Sequence, residues 1–386
     1  MNISKARYIN VYLLLFYSGF LLLQINKFAK IISIMTGSWF ASGAAYLLGI
    51  ALISLYILVR GFSIADALLL VYAVFSYIYV RDTTMCSLLV LLIAVKGLNT
   101  DNVIHLYAVF QTLVLTACIM LYSMFLLLGS SYAITSWIGG RLRYNFFFAH
   151  PNNFAIQCVF TFFAWLYLYR EKIPYWLMNL LTIALATFIY IFPNSQTAVI
   201  ALLVFLIAQF MIRYFRKIWR PFIKALLPIT LVVVIILVYM FYTGNISFIS
   251  NFIIGTFASR FEGAATAFSL YNINLFGNYM SQIGSTVLYS NGQWGSFWLD
   301  LAYVRMPFAF GIVGSLIFYG IVIKGIARLI QRRNYYVLTL FAVIIAYALS
   351  EWTAFSVVTV FPLLFLSDAL NDSQKRRIKI LFPMKS

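Results

Sequence analysis

The chain has 386 residues, of which 64% are hydrophobic and only 9% charged. A soluble domain carries about 25% charged residues, so a water-soluble globular protein is excluded. Its apolar runs, roughly 17–25 residues long, match the length that crosses a bilayer as helix. The net charge of +18 does not imply nucleic acid, because the cations flank the apolar runs, where they set topology and meet anionic lipid.

The first apolar run, 8–24, is too long for the core of a signal peptide and lacks a small-residue cleavage site, so it reads as a first span. Eleven more follow at 39–59, 64–80, 83–99, 103–128, 152–169, 173–192, 197–212, 223–242, 301–323, 335–349 and 352–369. The fourth has the shortest apolar core, with Lys96 expected to snorkel to the interface. The expected fold class is therefore all-α: a polytopic membrane protein of about twelve transmembrane helices. Residues 1–386 are read as one integral membrane domain. With the N-terminus inside, 20 of the 27 cations fall on inner segments. Among these are the basic stretches 213–224 and 324–333 and the C-terminal tail, an asymmetry that sets both termini inside. Cys86, Cys118 and Cys158 lie within spans as free thiols without metal-ligand spacing.

Two sizeable external loops result, 129–151 and 243–300. The second is rich in amides and aromatics: Asn245, Asn251, Asn272, Asn274, Asn278, Asn291, Gln282, Gln293, Tyr271, Tyr279, Tyr289, Trp294 and Trp298. Within it, Phe257, Phe261, Ala264, Phe268 and Tyr271 recur at helical spacing, with Arg260, Glu262, Gly263 and Thr266 off that face. The pattern fits an amphipathic helix at the outer interface. A short external loop at 25–38 carries no acidic residue.

Polar chemistry concentrates on the outer side. Arg141 and Arg143 flank Leu142, so in an extended segment they point the same way and suit a diphosphate, or else anchor to lipid phosphates. His150 precedes Pro151 at a helix start. It reads either as a proton-exchanging group at neutral pH or as a cap-region residue. Asn152 and Asn153 open the same helix, where amides meet sugar hydroxyls or simply cap. Arg260 is a candidate for the second phosphate, with Glu262 a base or Arg260's local partner. Asp300 and Arg305, five apart, read as a structural bridge or as a means of presenting Arg305 to a cavity. Asn194 to Thr197 form a turn that lines the same cavity or only caps a helix, and His105 reads as structural. Together, 139–153 and the loop around Arg260 are expected to form two walls of one outer-face site.

With those residues in hand, the chain resembles bacterial polysaccharide polymerases of the Wzy type, in a superfamily shared with O-antigen ligases. The resemblance rests on four ordered pieces. These are R-L-R-Y-N-F-F-F-A-H-P-N at 141–152; N-S-Q-T-A at 194–198; S-R-F-E-G at 259–263 with L-F-G at 275–277; and L-D-L-A-Y at 299–303 with G-I-V-G at 311–314. It departs from the family in the closer spacing of Arg260 to its glycine and in an arginine-poor loop.

The resemblance implies polymerisation of undecaprenyl-diphosphate-linked oligosaccharide repeat units at the outer face of the bacterial cytoplasmic membrane. The glycan is transferred from lipid diphosphate to an acceptor sugar hydroxyl, with neither metal nor other cofactor. Diphosphate is already a good leaving group, so positioning and charge neutralisation are what the protein must supply. The implied partners are the lipid-linked oligosaccharide, membrane lipid, a chain-length regulator and a flippase. On this expectation His150, Arg260 and Glu262 are catalytic, and Arg141, Arg143, Asn152, Arg305 and Asp300 bind substrate. The competing readings are a ligase of the same superfamily and a lipid-linked oligosaccharide transporter. A transporter would place its polar residues near the bilayer midplane.

Overall fold

The computed structural model describes residues 3–36, 42–129, 135–138, 141–148, 150–243, 255–279, 286–288, 294–296 and 299–370. The side chains of 3–11, 29–36, 42, 135–138, 141, 255–259, 286–288 and 294–296 lie outside that description. So do Asn245, Asn251, Gln282, Tyr289, Asn291, Gln293, Trp298 and the basic tail from Lys375 to Lys385.

The described chain is mainly helical. The α-helices are α1 (Ile3–Thr36), α2 (Ser42–Arg60), α3 (Ile64–Val80), α4 (Thr83–Val95), α5 (Thr100–Leu127), α6 (Pro151–Leu168), α7 (Tyr175–Ile191), α8 (Gln196–Tyr214), α9 (Arg216–Tyr242), α10 (Gly255–Leu270), α11 (Ala302–Gln331) and α12 (Tyr335–Tyr347). Two 3-10 helices follow at Trp352–Phe355 and Phe361–Leu370. Two small antiparallel hairpins lie in the expected external loops: β1 (Thr135–Ile138) with β2 (Arg141–Tyr144), and β3 (Thr286–Leu288) with β4 (Trp294–Ser296). In the first, Ser136 faces Arg143 and Ile138 faces Arg141.

Among the described residues, five helices, in α2, α5, α8, α9 and α11, are long and apolar enough to cross a membrane, and six shorter apolar helices accompany them. Leu68, Val71 and Ile78 of α3 are each more than 65% exposed. A row of large aliphatic side chains open to the surroundings is costly in water and at home in lipid.

Three expectations change. The loop at 25–38 is not a loop for most of its length, because α1 runs on to Thr36. The last expected span, 352–369, is built from two 3-10 helices rather than one α-helix. Lys96 does not snorkel: it is buried and pairs with Asp66 at 2.5 Å. Asp66 also accepts the Ser63 N–H (3.0 Å), while Ser63 Oγ accepts the Asp66 N–H (3.2 Å), a reciprocal cap that starts α3. Arg60 then caps the far end of α4 by donating to the carbonyls of Ile93 (2.7 Å), Ala94 (2.8 Å) and Lys96.

The chain divides into two compact units. Unit 1 comprises Met1–Leu68, Val90–Leu206 and Asn371–Ser386; unit 2 comprises Leu69–Leu89 and Ile207–Leu370. In unit 1, α1 crosses α2 where Gly19 and Gly49 meet; a Cβ on either would fall within 3 Å of the other's carbonyl oxygen. Close backbone approach of this kind is how helices associate when lipid supplies no hydrophobic drive.

Unit 2 contains a broken helix. Gly311 sits inside α11 at φ 70 and ψ −172, which interrupts the helical hydrogen bonds. The freed groups are recovered locally. Ile312 and Val313 donate to the carbonyls of Asn274 (3.2 Å) and Leu275 (3.1 Å), and Asn278 donates its backbone N–H to Phe308 (3.0 Å). Tyr72 Oη donates to the Phe310 carbonyl (3.1 Å). Gly277, at φ +94, abuts this break so closely that a Cβ would sit 1.9 Å from the Ala309 oxygen. Irregular backbone among apolar helices persists only where protein satisfies it, and residues 274–278 do so here. The L-F-G and G-I-V-G pieces noted in the sequence are thus two faces of one contact.

Candidate functional site

In unit 1 the segment 141–152 is folded as a wedge. Residues 141–144 form β2, an extended strand as expected, with Leu142 exposed and Arg143 buried. Arg143 Nε donates to the Pro193 carbonyl (3.0 Å), and its Nη2 donates to Asn152 Oδ1. Tyr144 N–H donates to the Phe192 carbonyl (3.2 Å). The strand is thereby tied to the start of α6 and to the turn that precedes α8. That turn, with Asn194 at φ 49 and a Ser195–Thr197 hydroxyl contact of 3.3 Å, adjoins the arginine strand.

Phe146 and Phe147 then take positive φ values of 47 and 67. Left-handed backbone at two bulky residues is strained, and packing holds it. Phe146 stacks on Phe154 at 4.2 Å and meets Tyr122 at a tilt at 4.8 Å, while Phe148 meets Phe28 at 5.8 Å.

His150 is the N-cap of α6, with Pro151 at its first position. Its Nδ1 accepts the Asn152 N–H at 3.1 Å. A nitrogen that accepts carries no proton, so the neutral ring holds its proton on Nε2. The lone pair that a base needs is therefore committed to the cap. His150 thus takes the cap position that was one of the two readings of the sequence. Arg143 and His150 both lie beside the N-terminus of α6, a place where negative charge is favoured.

Next to this wedge lies a belt the sequence reading missed. Lys27 Nζ donates to Gln157 Oε1 (2.6 Å), and Gln157 Nε2 donates to Tyr107 Oη (3.3 Å). One turn along, Gln111 Nε2 donates to Gln24 Oε1 (2.6 Å). Gln24 Nε2, Asn26 Oδ1 and Gln111 Oε1 are buried without a hydrogen-bond partner. Lys27, within the stretch 25–38 expected to be an external loop, lies instead on α1 and reaches α6. The readable signal was Gln24, Asn26 and Lys27 at the end of an apolar run.

In unit 2 the charged residues converge from four stretches of chain. Arg260 of α10 pairs with Asp300 (2.8 Å) and with Glu351 (3.3 Å). Arg305, at the start of α11, pairs with Asp82 (3.1 Å), and its guanidinium carbon lies 4.7 Å from the Trp352 ring centre. Two expectations are corrected. Glu262 is exposed and is not the ion-pair partner of Arg260, and Asp300 and Arg305 do not bridge to each other. Glu351, Asp82 and Trp352 were not singled out from the sequence. Two cations stand against three carboxylates, so the cluster is not a vacant anion site. The Nε groups of Arg260 and Arg305 remain buried and without an acceptor. Such orphaned donors are costly.

Beside this cluster is an apolar groove of about 590 Å³. Leu231, Val234 and Tyr239 of α9, Phe268 of α10, and Tyr303 and Pro307 of α11 line it. Tyr303 and Val304 border the groove, while Asp300 and Arg305 on either side of them belong to the charged cluster.

No family model, curated protein or solved structure matches the chain significantly.

Proposed function

We propose that the chain is a polysaccharide polymerase of the bacterial cytoplasmic membrane, with about twelve spans and both termini cytoplasmic. It joins undecaprenyl-diphosphate-linked oligosaccharide repeat units at the outer face. The observation that carries this reading is the junction in unit 2, where the start of α11 contributes both to a charged cluster and to an apolar groove. A ligand with a polar glycan head and a long hydrocarbon tail fits such a junction. In unit 1, Arg143 and the Nε2–H of His150 supply donors to phosphate oxygens, with Arg141 on the same strand. Such donors neutralise charge as a diphosphate leaves.

A second reading, a transporter of the same lipid, draws on the Lys27–Gln157–Tyr107 belt, since polar groups inside a helical bundle are what transport sites are built from. Vesicles loaded with repeat-unit lipid extracted from host membranes separate the two. A polymerase lengthens the glycan, whereas a transporter moves the lipid between leaflets without lengthening it. Arg143→Lys keeps the charge but loses the planar fork. It is expected to cut lengthening by about 10²-fold, and an unchanged rate rejects the assignment of Arg143.

A further inference from the structure

We propose that the start of α9 in unit 2 is a binding site for the headgroup of an anionic phospholipid, built on Arg216, Arg220 and Tyr335. Residues 225–242 of α9 carry no charge, whereas Arg216, Lys217, Arg220 and Lys224 all precede them on the same helix and are exposed. In a bilayer the uncharged length fills the hydrocarbon core and leaves the basic end at headgroup depth. The same turns select lipid over a soluble partner. Trp219 and Ile223 are buried, but Ile218 and Phe222 stand 58% and 44% exposed among the cations. Water disfavours those side chains and hydrocarbon disfavours the cations, so the membrane interface is the place that suits both.

The placement of the two arginines turns a basic stretch into a site. Arg220 donates from Nε (2.8 Å) and from Nη2 to the Tyr335 hydroxyl. The guanidinium carbon of Arg216 lies 3.8 Å from the centre of the same ring, and that of Arg220 lies 5.4 Å from it. Tyr335 is buried at the start of α12, so two cations are gathered on one fixed phenol. Among the described residues neither arginine pairs with a carboxylate, and Asp368 is held by Arg332. Like charges gathered this closely repel. The positive end of the α9 dipole adds to the repulsion, because the first turn holds no acidic residue and the N-cap, Phe215, supplies no side-chain cap. A phosphate relieves both, and the planar fork of a guanidinium matches its oxygens.

The test is native mass spectrometry of the purified full-length protein in detergent, titrated with phosphatidylglycerol or phosphatidylcholine. Wild type is expected to bind phosphatidylglycerol more tightly than phosphatidylcholine. Arg216→Gln with Arg220→Gln is expected to weaken phosphatidylglycerol binding by about 30-fold. Arg170→Gln with Lys172→Gln removes the same charge from an exposed turn of unit 1 and is expected to leave binding unchanged. Equal affinity for the two lipids, or a weakening under about threefold in the first variant, overturns the site. Equal losses in both variants would mark diffuse attraction and overturn it as well. Displacement of the lipid by millimolar inorganic phosphate would mark a site for a soluble anion and overturn the lipid assignment. Should the first variant fail to fold, Arg216→Lys with Arg220→Lys keeps the charge but loses the planar fork. A weakening of about threefold or more then supports the site, and a smaller one overturns it.

Discussion

Removing the Arg260 guanidinium would leave Asp300 and Glu351 as two mostly buried carboxylates without their shared cation. Breaking a fully buried pair costs about 3–5 kcal/mol; with Arg260 18% exposed, Arg260→Ala is expected to cost about 2–3 kcal/mol. Chemical unfolding in detergent micelles measures it, and a cost under about 0.5 kcal/mol, the level of an exposed pair, would contradict the burial. His150 makes a second case. If it caps α6, His150→Asn should keep the stability, while His150→Ala should lose about 1 kcal/mol. Equal unfolding midpoints for wild type and both variants would contradict the cap. Arg260, Asp300 and Arg305 were all visible in the sequence as outer-side charges, but their pairing was not. Sequence spacing favours near neighbours such as 260 with 262, whereas the actual partners lie 40 and 91 positions away.

At the level of elements, hydrophobic length located most helices. Residues 64–80 are α3, because Gly61 and Arg81, both at positive φ, stop the chain at either end. The sequence failed where polarity was mistaken for exposure. Lys27 reads as part of a loop, yet α1 continues through it, and α6 supplies its partner Gln157 just as α5 supplies Gln111 to Gln24. The break in α11 was equally hidden, because its repair comes from residues 274–278, far off in sequence. Gly277→Ala and Gly311→Ala each force a Cβ into a left-handed position against backbone atoms. Each is expected to cost at least about 1–3 kcal/mol, read as a lower unfolding midpoint, whereas Gly43→Ala, whose Cβ meets nothing, should be neutral or slightly stabilising. Equal midpoints for all three variants would contradict the account of the break.

For the whole molecule, charge asymmetry sets the expected sidedness. The residues that alternation of spans puts on one side (Asp82, Arg260, Asp300, Arg305 and Glu351) are the ones unit 2 brings together. Arg220 with Tyr335, and Arg332 with Asp368, gather the basic residues assigned to the other side. Since all three native cysteines are buried, single cysteines report sidedness cleanly. Glu262→Cys should react with an impermeant maleimide from outside intact cells, and Glu171→Cys only after lysis; the reverse pattern would invert the topology.

The central claim, that the protein lengthens a lipid-linked glycan, is tested most directly by mass analysis of a reconstituted reaction containing only the protein, membrane lipid and repeat-unit lipid. The account predicts a ladder of glycans on undecaprenyl diphosphate, spaced by one repeat unit, with one free undecaprenyl diphosphate released per bond formed. Repeat-unit lipid that stays unextended, or glycan that leaves the carrier for a different acceptor, would contradict it.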